Sequence, residues 1–297
     1  MTKEIKINPK VQFKRVYIEI SNICNLNCEF CSEVKRKKQI MLPSDFEYII
    51  EQIKPHANFI YLHVKGEPLL HPNLKEIMQI CEKNNMQVNI TTNATLLDEH
   101  SDFLLHSPAL RQMNISVHSL AAQQKIDTNK YLNTIIDFTK KCDLIGKYVV
   151  LRFWNLDQNR NIGSQSKEAM STFSKAFNVN YDLVSALNVK NSVKISDNVF
   201  IGWEKEFVWP SCENEFVSND GYCYGMRHQI AILADGTVVP CCLDSNGECA
   251  LGNIFVNTFD EIISSDLAKG IRHGFEKRQA FATLCKHCSF RTRFDKK

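Results

Sequence analysis

Three cysteines near the start of the chain have a spacing suited to metal chemistry. Cys24, Cys28 and Cys31 form a C-x3-C-x2-C array directly after a strand-like run, Val16 to Ile20. A cubane iron–sulfur cluster usually takes four thiolates, and a structural zinc site also takes four ligands. No Cys or His lies between Cys31 and His56, so three thiolates would leave one iron of a cubane open to an outside ligand. A zinc knuckle with a distant fourth ligand is the alternative.

The array has an aromatic residue, Phe30, directly before its last cysteine. In this it resembles the cluster loop of the radical S-adenosylmethionine (SAM) enzymes. The resemblance implies a [4Fe–4S] cluster whose open iron binds the methionyl amino and carboxylate groups of SAM. It also implies that one electron from the cluster breaks the S–C5′ bond to give a 5′-deoxyadenosyl radical.

Composition limits the class of protein. The chain has 297 residues, 44% of them hydrophobic, which suffices for one large core or two smaller ones. A net charge of +3 gives no indication of nucleic-acid binding. Residues 1–10 lack the apolar core of a signal peptide and no run is long enough for a membrane helix, so we expect a cytoplasmic protein without a membrane partner. Twelve cysteines in such a chain point to metal rather than disulfides.

Strand and helix patterns alternate along the first two thirds of the chain. Strands are predicted at 14–21, 58–65, 86–93, 112–118, 147–154 and 180–186, and helices at 43–54, 72–85, 95–106, 128–145 and 165–178. Such a repeat predicts a parallel sheet in an α/β fold. Six units match the partial (β/α)6 TIM-like barrel of the radical SAM family.

Each predicted strand has one apolar and one polar face. In the first strand Val16, Ile18 and Ile20 form the apolar side. In the second strand Val64 is predicted to lie on the apolar side as well. Because helices must cover the apolar faces, the polar faces are expected to line a lumen that holds substrate. The sixth strand would present Tyr181 and Ser185 in the same way. The predicted substrate-binding residues are Tyr17, Glu19, His63, Asn89 and Arg152.

Several strand ends resemble the family's cofactor motifs. Lys65-Gly66-Glu67-Pro68 resembles the GGEP segment, with lysine in place of the first glycine, and Thr91-Thr92-Asn93 resembles the TN(G) segment, with Ala94 in place of glycine. Ser116 to His118 lies where the family often has S-x-D. Arg152 on the predicted fifth strand is a suitable partner for the methionyl carboxylate, because a guanidinium presents a fork of donors. The resemblance implies these cofactor-binding residues: Phe30, Gly66, Glu67, Asn93, Ser116, His118 and Arg152.

A second group of cysteines begins at Cys223 and continues with Cys241 and the pair Cys285 and Cys288. The spacing resembles the twitch module, a shortened SPASM domain in which a β-hairpin and a C-x2-C pair supply four thiolates to an auxiliary cluster. Asp235-Gly236 favours a hairpin turn between two short strands. Neighbouring residues of a strand point to opposite sides, so Cys241 and not the adjacent Cys242 is expected to bind the cluster. Zinc held by the same four cysteines is the alternative.

These features predict three regions: a radical SAM partial barrel over 1–190, a connecting segment over 191–222 and a twitch-type domain over 223–297. Cys81 and Cys142 fall in helical segments and are expected to be core filler. The basic run 35–38 follows the cluster loop and is either a solvated loop or a docking patch for a flavodoxin or ferredoxin reductant.

The expected function is abstraction of hydrogen from a small polar substrate by a SAM-derived radical, with two [4Fe–4S] clusters and SAM as cofactors. The segment from Cys223 to Cys288 resembles the queuine lyases, which favours conversion of queuine to a 7-deazaguanine precursor base. Glu19 is expected to be the carboxylate that binds a substrate ammonium or N–H group. Alternatives are a twitch-type dehydrogenase of an aminocyclitol or sugar, a peptide maturase, and a non-catalytic iron–sulfur or zinc protein.

Overall fold

The computed structural model describes residues 11–123, 126–186 and 190–295. The strands are β1 Arg15–Ile18, β2 Phe59–Tyr61, β3 Gln87–Thr92, β4 Leu110–Ser116, β5 Tyr148–Leu156, β6 Ser192–Ser196, β7 Val199–Lys205, β8 Gln229–Ile232, β9 Thr237–Val239 and β10 Gly252–Asn253. The helices are α1 Pro43–Ile53, α2 Leu74–Lys83, α3 Leu97–His106, α4 Thr128–Leu144, α5 Ser164–Ala176, α6 Leu183–Ala186, α7 Phe259–Ile263, α8 Asp266–Glu276 and α9 Thr283–Lys286. Short 3-10 turns lie at Pro68–Leu70, Val117–Ala122 and Ser289–Phe294.

All of these strands form one sheet in the order β10-β9-β8-β1-β2-β3-β4-β5-β7-β6. Strands β1 to β5 and β7 are parallel neighbours, as the alternating pattern predicts. Strand β6 pairs antiparallel with β7 at one edge. At the other edge β8 pairs parallel with β1 and continues into an antiparallel hairpin with β9. The predicted α/β class with a partial barrel and a carboxy-terminal hairpin is confirmed.

The predicted sixth strand at 180–186 is wrong. Asp182 accepts hydrogen bonds from the Val184 amide and the Ser185 hydroxyl, and this cap starts helix α6 in that stretch. Tyr181 and Ser185 therefore lie outside the sheet. The sixth parallel strand is β7, where alternate residues Val199, Ile201 and Trp203 are buried. It lies inside the stretch predicted to connect two domains, 191–222.

The two faces of the sheet bury different side chains. Val16 and Ile18 pack with the helices in one large core, as predicted for the apolar face. A second, small cluster on the opposite face contains Tyr17, Val64 and Ala231. Val64 was expected on the helix-covered face. It lies on the other one because β2 ends at Tyr61, so the alternation no longer applies three residues later.

The hairpin turn at Asp235-Gly236 is confirmed. Gly236 has φ +82°, a left-handed conformation, and a Cβ there would meet the Phe255 ring at 2.4 Å. Only glycine fits this turn. The hairpin extends the barrel sheet through the pairing of β8 with β1, and Cys241 follows shortly after its second strand.

Candidate functional site

The first three cysteines lie together in the irregular loop between β1 and α1. The Cys31 amide donates to the Cys28 carbonyl at 3.0 Å, and the Cys24 sulfur accepts from the Leu26 amide at 3.4 Å. Burial and the neighbouring thiols of Cys31 and Cys24 raise the pKa of Cys28 to about 11. A bound metal would reverse this effect by stabilising the thiolates. Three clustered thiols near N–H donors fit a group that needs anionic sulfur ligands.

Glu67 links the loops on this side of the sheet. Its carboxylate accepts from the Thr92 hydroxyl and the Asn93 amide, both at 2.7 Å, and from the Leu69 amide at 3.0 Å. Burial nevertheless raises its pKa to about 7. Three internal donors hold Glu67 in place beside the cysteine loop. Its predicted contact with SAM stays a prediction.

Gly66 allows two backbone segments to meet. It has φ +77°, and a Cβ at this position would lie 2.2 Å from the Ser21 carbonyl oxygen. The next amide, of Glu67, donates to the Ile23 carbonyl at 2.9 Å. Glycine is therefore required here by the stem of the cysteine loop, independently of any ligand.

Asn93 connects β3 to the cysteine loop. Its side-chain amide donates to Asn25 at 2.9 Å and lies 3.8 Å from the Cys24 sulfur. The following residue, Ala94, has φ +61°. This left-handed conformation explains why a glycine would suit the position.

His118 and Phe30 pack against each other, with ring centroids 4.7 Å apart. The His118 Nδ1 lies 3.0 Å from the Arg152 carbonyl oxygen. Burial, together with the charge of Arg152, lowers the pKa of His118 to about 4, so the ring is neutral at physiological pH. Ser116 ends β4 opposite Arg152 of β5. The structure brings these predicted cofactor residues together behind the cysteine loop, and their contacts with SAM stay predictions.

A second group on this sheet face is aromatic and lies near Arg152. Tyr17 stacks on Tyr61 with ring centroids 4.6 Å apart, and His63 meets both rings edge-on. Burial, and to a lesser extent the charge of Arg152, lowers the pKa of His63 to about 3. The guanidinium of Arg152 lies 4.6 Å from the Trp154 ring. Four of the predicted substrate residues thus share one face, with Asn89 on β3 beside Tyr61.

Unpaired polar atoms lie on this face. Among the described residues, His63 Nδ1, Asn89 Nδ2 and Thr91 Oγ1 are buried without a hydrogen-bond partner. The described residues also supply no ion pair to the Arg152 guanidinium. Leaving such a group unsatisfied costs about 1–3 kcal/mol. A polar ligand with donors and acceptors would satisfy these atoms, and substrate binding on this face stays a prediction.

Glu19 does not need a substrate partner. Its fully buried carboxylate receives Arg36 Nη2 at 2.7 and 2.8 Å, the Lys65 amide at 3.1 Å and the Ala234 amide at 3.1 Å. The premise that a substrate ammonium would neutralise Glu19 is wrong, because protein groups already pair with the carboxylate. The sequence did not show these partners, since they come from distant parts of the chain. The same contact corrects the prediction for the basic run 35–38. Arg36 points inward to Glu19 rather than toward solvent or a reductant. Its neighbour Lys35 pairs on the surface with Glu213 at 2.9 Å.

The four predicted auxiliary cysteines lie near one another, and their binding of a cluster stays a prediction. The pKa of Cys241 is raised well above its usual value by burial first, and then by the thiols of the adjacent Cys242 and of Cys223, Cys288 and Cys285. Cys242 turns to the lumen instead, where its thiol is hydrogen-bonded to Tyr17. This lumen cysteine was not among the predicted site residues. Both cysteines lie beyond the end of β9 at Val239, so strand alternation does not account for their different directions.

Other cysteines agree with the expected filler role. Cys81 and Cys142 are fully buried in α2 and α4. Within the described residues, no three His, Cys, Asp or Glu side chains converge closely enough to hold a single metal ion. A cubane has wider requirements, since each thiolate binds a different iron. Also within the described part of the chain, no helix is both long and apolar enough to cross a membrane.

Two protein-family models match the chain. The model described as "Radical SAM superfamily" matches residues 18–158, and the SPASM model, described as "Iron-sulfur cluster-binding domain", matches residues 223–289. The first match runs from the last residue of β1 through the cysteine loop to the end of β5. The second contains all four auxiliary cysteines.

The chain is similar to curated proteins over different lengths. A GTP 3',8-cyclase of Aquifex aeolicus (strain VF5) is 24% identical over 79% of this chain and 83% of its own length. The tungsten-containing aldehyde ferredoxin oxidoreductase cofactor-modifying protein of Pyrococcus furiosus is 30% identical, but that match covers only 29% of this chain and 25% of that protein.

Solved structures share the fold. BtrN in complex with AdoMet and 2-DOIA superposes with a TM-score of 0.51 at 17% identity, covering 93% of both chains. Streptococcus suis SuiB bound to S-adenosylmethionine gives 0.58 at 20% identity, over 88% of this chain and 68% of SuiB. AnSMEcpe with AdoMet and a peptide gives 0.58 at 17% identity, over 95% and 90%. At these identities the likeness concerns the fold.

Proposed function

Because this chain belongs to the radical SAM enzymes of the SPASM/twitch subfamily, with iron–sulfur clusters and SAM as cofactors, we propose that it acts on a small polar heterocycle bound in the lumen. Our leading candidate is queuine, with a lyase reaction that releases 7-aminomethyl-7-deazaguanine. A peptide, an aminocyclitol and a guanine nucleotide are the competing substrates. A flavodoxin or ferredoxin would supply the electrons.

One observation carries the proposal. His63, Asn89 and Thr91 each have a buried polar atom without a hydrogen-bond partner on the described sheet face, next to the stacked Tyr17. On the same face the Arg152 guanidinium stacks on Trp154 and has no ion-pair partner among the described residues. A flat base with a lactam oxygen and amino groups could satisfy such atoms, and an aromatic floor favours a ring. Glu19 is neutralised internally, which makes a polycationic aminocyclitol a poorer fit.

Two further points support a deazaguanine base. The segment from Cys223 to Cys288 resembles the queuine lyases. In addition, a curated relative that matches most of the chain is named for GTP, whose base has the ring outline of 7-deazaguanine. Both points concern the class of base and leave the reaction to experiment.

The roles of the chain's own residues follow from their positions. Cys24, Cys28 and Cys31 would hold the cluster, which would supply the electron for cleavage of the S–C5′ bond of SAM. Asn93 and Glu67 hold the cysteine loop against β3. Across the sheet face, Arg152 would donate to the lactam oxygen. His63 is neutral because of its low pKa, so its free Nδ1 could accept or donate a hydrogen bond without adding charge.

The test is anaerobic turnover with dithionite, SAM and queuine, followed by mass spectrometry. We expect 5′-deoxyadenosine together with 7-aminomethyl-7-deazaguanine. Arg152→Gln should raise KM for queuine at least tenfold, since a charge-assisted hydrogen bond contributes about 1.5–3 kcal/mol. Arg227→Gln, which removes an arginine stacked on Tyr222, is the matched control and should leave KM unchanged.

The competing substrates give distinct outcomes in the same assay. Unchanged queuine together with turnover of GTP, an aminocyclitol or a peptide would replace the leading candidate. Equal KM values for the wild type and Arg152→Gln would remove Arg152 from substrate recognition.

A further inference from the structure

Lys65 places a positive charge against the cysteine loop. Its Nζ lies 3.1 Å from the Cys31 sulfur, and the residue is only 4% exposed. The corresponding position in the segment that Lys65-Gly66-Glu67-Pro68 resembles is glycine, which could not make this contact. Lys65 is therefore a feature of this chain that the proposed function does not use.

The ammonium group is held on two sides. Nζ lies 3.4 Å from the centre of the Trp209 ring, within cation–π distance. Trp209 in turn donates from Nε1 to the Phe30 carbonyl at 3.0 Å, directly before Cys31. The Lys65 amide is fixed by Glu19. Both ends of the side chain are anchored, so the contact with the sulfur does not depend on a freely rotating surface lysine.

The electrostatic consequence has a definite sign. Reduction adds one negative charge to a thiolate-bound cluster, and a nearby cation with an N–H···S hydrogen bond stabilises that charge. Burial of Lys65 limits screening on its side of the contact, whereas the exposed Cys31 leaves the pair partly screened by water. The neutral amide of Asn93, 3.8 Å from the Cys24 sulfur, can supply much less.

We propose that Lys65, held by Trp209, donates a charge-assisted hydrogen bond to Cys31 and raises the reduction potential of the SAM-binding cluster. Lys65 is in this sense a positioning and tuning residue that acts through a cluster ligand. The inference concerns the cluster itself and is independent of the substrate.

The test is a redox titration of anaerobically reconstituted protein, monitored by electron paramagnetic resonance, without SAM or substrate. Lys65→Met should lower the ratio of reduced to oxidised cluster about tenfold at the wild-type midpoint, a shift of about 59 mV for a one-electron couple. Trp209→Phe, which loses the hydrogen bond to Phe30, should give a smaller shift in the same direction. Lys38→Met removes an exposed lysine of the same loop and should leave the ratio unchanged.

Other outcomes are equally informative. A Lys65→Met midpoint equal to that of the wild type, at equal iron content, would overturn the proposal. So would an equal shift in Lys38→Met, because the effect would then be general charge. If Lys65→Met does not assemble the cluster, Lys65→Gln and Trp209→Phe decide, and wild-type midpoints in both would overturn it. Unchanged substrate turnover in any variant would bear on the proposed function and not on the midpoint.

Discussion

The pKa of His63 is determined by the residues packed around its ring. It meets the rings of Tyr17 and Tyr61 edge-on, and its Nδ1 is buried without a partner among the described residues. Burial first, and then the charge of Arg152, lower its pKa to about 3. A histidine in this setting stays neutral, so it offers a ligand a hydrogen bond without a charge.

The depressed pKa of His63 predicts a loss of stability in acid. The folded protein resists protonation of this ring whereas the unfolded chain, with a pKa of about 6.5, does not. The stabilisation is therefore complete above about pH 6.5 and is lost as the pH falls toward the folded value. Between pH 7.5 and 5.5 we expect a loss of about 1.4 kcal/mol from this group.

The measurement is thermal unfolding of the anaerobic holoprotein at both pH values. His63→Asn should show a fall in Tm that is smaller than that of the wild type by a few degrees. His100→Asn is the control at another histidine, one that packs against Phe103 on α3. Equal pH dependence in the wild type and His63→Asn would contradict the assignment.

At the scale of elements, Glu19 connects four parts of the fold. It lies at the end of β1 and binds Arg36 of the cysteine loop, the amide before Gly66, and the Ala234 amide in the hairpin turn. These partners are 17, 46 and 215 residues away in sequence. A single buried carboxylate thus sets the position of the cysteine loop relative to the hairpin.

Glu19→Gln should be strongly destabilising. It leaves Arg36, whose side chain is only 13% exposed, without its counter-charge. Removing one partner of a buried ion pair typically costs about 3–5 kcal/mol. We expect a fall in Tm of roughly 6 °C or more in thermal unfolding of the holoprotein.

The matched control is Glu213→Gln, whose partner Lys35 is on the surface, so a small change is expected. Adding Arg36→Gln to Glu19→Gln should recover part of the loss, since no charge is then left unpaired. A Glu19→Gln protein as stable as Glu213→Gln would show that the ion pair does not hold the loop.

At the scale of the whole molecule, one sheet carries both cysteine centres. Strand β8 pairs with β1, so the hairpin that bears the auxiliary cysteines continues the barrel. Cys241 faces Cys223 and the carboxy-terminal pair, whereas Cys242 faces Tyr17 in the lumen. The adjacent residues Cys241 and Cys242 therefore contact different groups of side chains.

This arrangement predicts about eight irons in two [4Fe–4S] clusters. Replacing Cys24, Cys28 and Cys31 together by Ala should remove about half of the iron and all SAM cleavage. Cys241→Ala should also lower the iron content. The control variant Cys242→Ala, at the adjacent residue, should leave the iron content unchanged. Iron and sulfide analysis with an assay for 5′-deoxyadenosine checks both. A triple variant that still forms 5′-deoxyadenosine would refute the assignment of the first centre.

Local features were determined by the sequence itself. The C-x3-C-x2-C spacing predicts the first centre because three cysteines in one short loop can reach the same cluster. The alternation in β1 to β5 predicts which residues face the helices, since a strand has a fixed period of two. Gly236 and its turn follow from the φ that the turn requires.

Long-range pairing was decided only by the tertiary structure. No local pattern shows that Glu19 takes Arg36 and Ala234 as partners, or that Lys65 lies between Trp209 and Cys31. The stretch at 180–186 alternates like a strand, yet a cap at Asp182 makes it helical, and β7 takes its place in the sheet. A one-dimensional pattern specifies the face on which a side chain lies. The partner it meets there depends on how distant segments pack.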